Sequence, residues 1–186
     1  MELYVIRHGT TDWNAEARFQ GCKDIPLNQN GRDLAADLGK RLADTSFDYY
    51  FSSPLQRAYE TLEIVQKIQK SAHPENAASI PEIITDNRIL EVNFGELEGL
   101  PFTDWMNTEE PRKYFFDAPG KYVPPKGGET FTSAMARSKN FVQNVIEPIY
   151  SKNPNARIIL VAHGALLAAL TCYLENRTVE NYWGAG

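Results

Sequence analysis

The residues of this 186-residue chain best placed to do chemistry are Arg7, His8 and Gly9, which end the apolar run Leu3-Tyr4-Val5-Ile6 and lead into Thr10-Thr11-Asp12-Trp13-Asn14. A histidine held at a strand end can act as a nucleophile, and an arginine beside it offers a planar fork for phosphate oxygens. Gly9 lets the chain turn sharply and a ligand approach the backbone. Taken alone, the segment reads equally well as a strand running into a polar loop. The pattern recurs near the other end of the chain, where Ile158-Ile159-Leu160-Val161-Ala162 stops at His163-Gly164. Continuous apolar runs suit central strands covered on both faces, and ligands of open α/β sheets gather at the carboxyl ends of such strands. Both histidines are therefore expected at one rim of a sheet.

The intervening sequence supplies the elements that would hold them there. Asn28 caps a helix to about Ala43, with Leu34, Leu38 and Leu42 at a four-residue step. A strand follows near Phe47–Phe51. Ser53 as N-cap and Pro54 as first helical residue put Arg57 in the first turn of a helix whose core side is Ala58, Leu62, Val65 and Ile68, beside a terminus that favours anions. Lys70 to Ile80 is a surface connection, with His73 solvated on it. An irregular, lid-like insert over about 100–128 carries Pro101, Pro111, Pro119, Pro124 and Pro125 among Trp105, Tyr114, Phe115, Phe116 and Tyr122, and such a stretch packs rather than remains disordered. A long helix over about Thr130–Tyr150, the strand to Ala162 and a final helix over about Ala165–Glu175 complete the alternation. It predicts a three-layer α/β/α sandwich with a mostly parallel central sheet, in a single domain over residues 1–186.

Four pieces stand in order along the chain: Arg7-His8-Gly9 with Trp13-Asn14, Ser53-Pro54-Leu55-Gln56-Arg57-Ala58 with Thr61, Leu90-Glu91 before Phe94-Gly95-Glu96-Leu97-Glu98-Gly99, and Val161-Ala162-His163-Gly164. With these the chain resembles the histidine phosphatase superfamily, shared by cofactor-dependent phosphoglycerate mutase and many phosphatases, from residue 3 to about residue 175. The resemblance implies the same α/β/α fold and assigns roles. His8 is the nucleophile that forms a phosphohistidine, Arg7 and Arg57 grip the phosphoryl oxygens, and His163 adds a third donor. Asn14, Gln20 and Gly21 complete the phosphate pocket, and Glu91 protonates the leaving oxygen and then activates water. Such a set meets the demands of a monoester dianion, which repels nucleophiles and departs as an alkoxide. Nearby cations should lower the pKa of His8, and burial or the bound dianion should raise that of Glu91. Glu96, Glu98 and Glu129 are the alternative acids.

The reading favoured is a metal-independent phosphomonoesterase acting on small phosphorylated metabolites, with no cofactor. A mutase is the first alternative. Mutases that resemble this chain usually carry a lysine soon after the matched glutamate and a paired arginine further on for the substrate carboxylate. Here those regions read Gly99-Leu100-Pro101-Phe102-Thr103-Asp104-Trp105 and Pro111-Arg112-Lys113-Tyr114, in which only Arg112 or Lys113 fits the role. A catalytically idle module for phospho-ligands is the second alternative. A metal hydrolase built on His8, His163 and Glu91 is disfavoured, because Arg7 and Arg57 would repel a dication and the spacing matches no compact ligand motif.

A formal net charge of −5 makes nucleic acid and anionic membrane poor general partners, so an anionic substrate needs a local basic pocket. No apolar run approaches the ~20 residues of a membrane span, and the first strand begins almost at Met1, so the cytoplasm is the expected compartment. Cys22 and Cys172 are too few for a disulfide framework or a zinc site. The family usually continues past its last helix with a further strand or loop, so ending at Gly186 reads as a shortened C-terminus. The sequence does not specify the substrate or the oligomeric state.

Overall fold

The computed structural model describes residues 1–106 and 114–184. Its sheet contains β1 (Glu2–Arg7), β2 (Tyr49–Ser52), β3 (Ile83–Thr85) and β4 (Arg157–Ala162), in the spatial order β1-β4-β2-β3. Every pairing is parallel, with Leu3 opposite Ile158, Tyr49 also opposite Ile158, and Tyr50 opposite Ile83. The helices are α1 (Asp12–Ala15), α2 (Gln29–Arg41), α3 (Gln56–Ala72), α4 (Phe102–Met106), α5 (Phe131–Phe141), α6 (Glu147–Lys152) and α7 (Gly164–Leu174).

Alternation along β4 sorts the layers. Ile158, Leu160 and Ala162 face a core shared with Leu3 and Val5 and covered by Phe141, Leu166 and Leu170. Ile159 and Val161 face the other side with Tyr4 and Ile6, under Leu38, Ala58, Leu62 and Val65. Successive side chains on a strand point to opposite faces, so a continuous apolar run is what a strand covered on both sides requires. Burial of each large side chain on β4 contributes about 1.5–3 kcal/mol. The result is the three-layer α/β/α arrangement. A third cluster, rich in aromatics, joins Phe19, Phe94, Phe115 and Tyr122 to Phe131 and Tyr182. No helix among the described residues is long and apolar enough to cross a membrane.

Three local expectations are corrected. On α2 the buried positions are Gly31, Ala35 and Gly39, while Leu34 is half exposed; the small residues set the packed face because they let α2 lie close to α3. Ser53 is not the N-cap of α3. Its N–H continues the sheet by donating to the Val161 carbonyl at 3.0 Å, and a residue before proline is held extended. The helix starts at Gln56, whose N–H donates at 2.7 Å to the Asp24 carboxylate. The long helix over Thr130–Tyr150 is interrupted by a π turn at Val142–Ile146, where Glu147 N–H reaches back to the Val142 carbonyl. Pro148 explains it, since its ring has no N–H and would clash with the carbonyl of Asn144 in a regular turn.

Candidate active site

His8 follows β1 and His163 follows β4, and those strands are neighbours with Arg7 opposite Ala162. The two rings lie 5.0 Å apart between centroids. Nδ1 of His8 is 2.6 Å from the Gly9 carbonyl. A carbonyl can only accept, so Nδ1 carries the proton and Nε2 keeps its lone pair. Burial, helped by the Arg57 charge, brings the His8 pKa down to about 3; the larger cause is burial rather than the cations expected from the sequence. His163 is fully buried, with Nε2 2.7 Å from Ser53 Oγ and Nδ1 without a partner among the described residues. Burial first, and Arg57 and His8 next, hold its pKa well below the usual histidine value.

Arg57 is fully buried in the first turn of α3 and donates through Nη1 to the Lys23 carbonyl and through Nη2 to the Gly21 carbonyl, both at 2.7 Å. Its remaining N–H groups, including an unpartnered Nε, are available to an anion. Arg7 is exposed on the same cavity. Gly21 has φ +51°, and a Cβ there would meet Glu98 Oε1 at 1.9 Å, so only glycine lets this loop present its carbonyl to Arg57. Thr11 caps α1 and accepts from Asn14 N–H at 3.2 Å, while the Asn14 Oδ1 accepts from Thr11 N–H at 3.1 Å. The Thr11 hydroxyl donates to Gln20 Oε1 at 2.9 Å. With their oxygens turned to Thr11, Asn14 and Gln20 each keep an NH₂ donor at the cavity wall.

Glu91 approaches the N-terminus of α7, an 11-residue helix whose N-cap His163 makes no side-chain cap bond. The glutamate does that work from a distant loop. Oε1 accepts from Val92 N–H at 2.8 Å and Leu166 N–H at 2.9 Å, and Oε2 accepts from Ala165 N–H at 3.2 Å. Oε2, with the single longer bond, is the oxygen with room for a proton. Burial raises the pKa of Glu91 against the opposing pull of these N–H groups. The other carboxylates are otherwise committed or remote. Glu98 Oε1 accepts from Cys22 and Phe94 N–H, Glu129 pairs with Arg137 at 2.8 Å, and Glu96 is exposed.

Arg137 has no precedent in the sequence reading. Its Nη1 donates to the carbonyls of Arg88 and Leu90 at 2.8 and 2.6 Å, and its Nη2 to that of Glu91 at 3.0 Å. It thereby clamps the loop bearing Glu91. A helical arginine eight residues from a glutamate gives no sequence signal for a partner 46 positions away.

Arg7, His8, Asn14, Gln20, Gly21, Arg57 and Glu91 line one end of a cavity of about 380 Å³ whose far wall is aromatic: Phe19, Phe94, Phe102, Phe115, Phe116 and Trp183; His163 lies buried behind them, against His8. Phe102, Phe115 and Phe116 come from the lid-like insert, whereas Phe19, Phe94 and Trp183 come from outside it. Tyr122 stacks on Phe131 in the core instead. Asp104's side chain, Pro111, Arg112 and Lys113 lie outside the described features. His73, as expected, sits away from the cavity, between Asp44 and Glu75.

The family model for the histidine phosphatase superfamily, branch 1, matches residues 3–186. Phosphoserine phosphatase 1 of Hydrogenobacter thermophilus is 29% identical over 100% of this chain and 82% of its own length. A 2,3-bisphosphoglycerate-dependent phosphoglycerate mutase of Cytophaga hutchinsonii is 31% identical over 96% of this chain and 79% of its own. Among solved structures, a mycobacterial glucosyl-3-phosphoglycerate phosphatase superposes with a TM-score of 0.82 at 28% identity, covering 99% of this chain and 86% of that one. With the fold matched throughout and the family's motif histidines brought together at one rim, the chain belongs to the histidine phosphatase superfamily and is a phosphatase.

Proposed function

We propose that this protein hydrolyses small phosphate monoesters by way of a phosphohistidine on His8, without a metal. The observation that carries the proposal is the Nδ1–H bond of His8 to the Gly9 carbonyl at 2.6 Å, which leaves Nε2 an unprotonated nucleophile aimed away from its own backbone. Arg7, Arg57, the amides of Asn14 and Gln20 and the Nδ1 of His163 supply donors for the equatorial oxygens, with the Gly21 loop held by Arg57. In the first step Nε2 attacks phosphorus, the P–O bond to the leaving group breaks, and protonated Glu91 delivers its proton to the departing oxygen. In the second, ionised Glu91 takes a proton from water, the water oxygen attacks phosphorus, and the P–N bond breaks to free phosphate and His8. Hydrolysis is favoured over mutase transfer because no uncommitted cation among the described residues faces the leaving-group side to hold an acidic acceptor.

Quenching turnover should yield an acid-labile, alkali-stable phosphoprotein in the parent enzyme and none in His8→Ala, with turnover undiminished by a chelator. Near-normal activity in His8→Ala, or loss of activity in the chelator, contradicts the proposal.

A further inference from the structure

The aromatic wall opposite the phosphate-binding groups is only partly taken up by core packing. Phe19, Phe94 and Phe115 are buried and serve the core, but Phe116 is 39% exposed and Phe102 and Trp183 are partly exposed, all on the cavity. They are held as a surface: Phe102 and Phe116 rings stand 6.2 Å apart, Phe116 and Trp183 5.7 Å, and Trp183 Nε1 donates to the Phe115 carbonyl at 2.6 Å. That hydrogen bond takes the indole's polar group and leaves its faces apolar. Among the described residues the remaining cation on the wall, Arg18, is bound to Glu16 at 2.5 Å and to the Gly99 carbonyl at 2.7 Å. A leaving group bearing a carboxylate would meet rings and an arginine already paired with Glu16, and burying a charge without a partner is costly. A flat apolar leaving group would stack on the rings.

From this arrangement we infer that the preferred substrates are monoesters with an aromatic leaving group, joined directly or through one carbon, rather than phosphorylated hydroxy acids or polyols. The inference rests on the phosphatase reading of the same cavity. Atoms balance as in any monoester hydrolysis: water enters, and the aryl alcohol and inorganic phosphate leave.

The test compares kcat/KM for 2-naphthylmethyl phosphate, benzyl phosphate, glycerol 2-phosphate and 3-phosphoglycerate, all alkyl esters, so that leaving-group chemistry does not imitate binding. Benzyl phosphate should exceed glycerol 2-phosphate by at least about tenfold, with the naphthyl ester higher again, since each tenfold corresponds to about 1.4 kcal/mol. In Phe116→Ala and Phe116→Leu the benzyl-to-glycerol ratio should fall at least about threefold, with Leu retaining more of it than Ala. Equal rates across the panel, or an unchanged ratio in both variants, overturn the inference. Preference for 3-phosphoglycerate that disappears in Arg18→Ala also overturns it and makes Arg18 the carboxylate partner. In either case a trapped phosphohistidine shows that the catalytic reading survives. Absence of both phosphoenzyme and turnover on every ester removes the two together.

Discussion

At the scale of single residues, the arrangement around His163 is decided by a hydroxyl. Leu55 N–H donates to Ser53 Oγ at 3.4 Å, which leaves the serine's own proton free to be donated to Nε2 of His163, 2.7 Å away. His163 then carries its proton on Nδ1, the atom with no partner among the described residues, as the neutral donor that the proposed function requires. Ser53→Ala should therefore shift the imidazole ¹⁵N resonances of His163 toward the other tautomer and lower kcat by about 10–10³-fold, on the scale of losing one oxyanion donor. Ser53→Thr should restore both. An unaltered ¹⁵N pattern in Ser53→Ala would show that the serine only fills space. Arg7, His8, Arg57, Glu91 and His163 could be named from the sequence because each stands in a short motif. Ser53 stands in one too, yet its partner lies 110 positions away, and a helix-capping role was the nearer explanation of a serine before proline.

Two helices converge on the site with their amino ends, and a carboxylate remote in sequence caps each: Asp24 for α3 and Glu91 for α7. Capping by a distant residue ties the helix to the loop that carries the cap. At this scale Arg137 is the residue to test, because it clamps the carbonyls of Arg88, Leu90 and Glu91 while Glu129 holds its other edge. Arg137→Met keeps much of the packing and removes the fork. It should leave the phosphate affinity that the proposed function assigns to Arg7 and Arg57 largely intact, seen as a KM within about threefold. Meanwhile kcat should fall at least about tenfold for alkyl esters, because a 1 Å misplacement can cost on the order of 10²-fold, and less for p-nitrophenyl phosphate, whose leaving group needs no proton. Arg137→Lys should recover little, since a point charge cannot reach three carbonyls at once. Equal losses on both substrate classes would mean that the clamp supports the fold rather than the acid. Element boundaries show the same division between what is local and what is not. The runs of β1, β2 and β4 and the cap Asn28 were readable because apolar periodicity and capping chemistry sit within a few residues, whereas β3, three residues with two of them exposed, carries no such run. The π turn required knowing how helix geometry answers Pro148, and the start of α3 depended on Ser53 N–H already being spent on β4.

Over the whole molecule, burying two neutral histidines beside arginines makes stability depend on pH. The unfolded chain protonates both near pH 6.5 and the folded protein does not, so the unfolded state binds more protons and stability falls as pH drops below 6.5. For His8 the loss continues to about pH 3. Glu91 acts in the opposite sense: its raised pKa adds stability that is complete below pH 4.5 and is lost as pH rises through the folded value. His73, exposed and raised by Asp44 and Glu75, adds stability below pH 6.5 that is small because water screens the pair. Urea unfolding between pH 7 and 5 should thus show a decline of at least about 1 kcal/mol per pH unit, and His8→Asn should remove roughly half of that slope. A slope unchanged in His8→Asn would mean that His8 takes up a proton in the folded state. The layer architecture was legible from the order of strand and helix patterns, but the strand order was not, because nothing within a strand names its neighbour. That order has a consequence for how the protein is made. β4 lies between β1 and β2, and among the described residues β1 pairs with no other strand. A ribosome that has not yet reached Arg157 therefore displays His8 on a strand with no sheet partner, and the helices around it have only half a floor to settle on. Catalytic competence should arrive in one event, the insertion of a six-residue segment that brings His163 with it. Until then the two strand edges that β4 will cover, one on β1 and one on β2, are left for chaperones to shield.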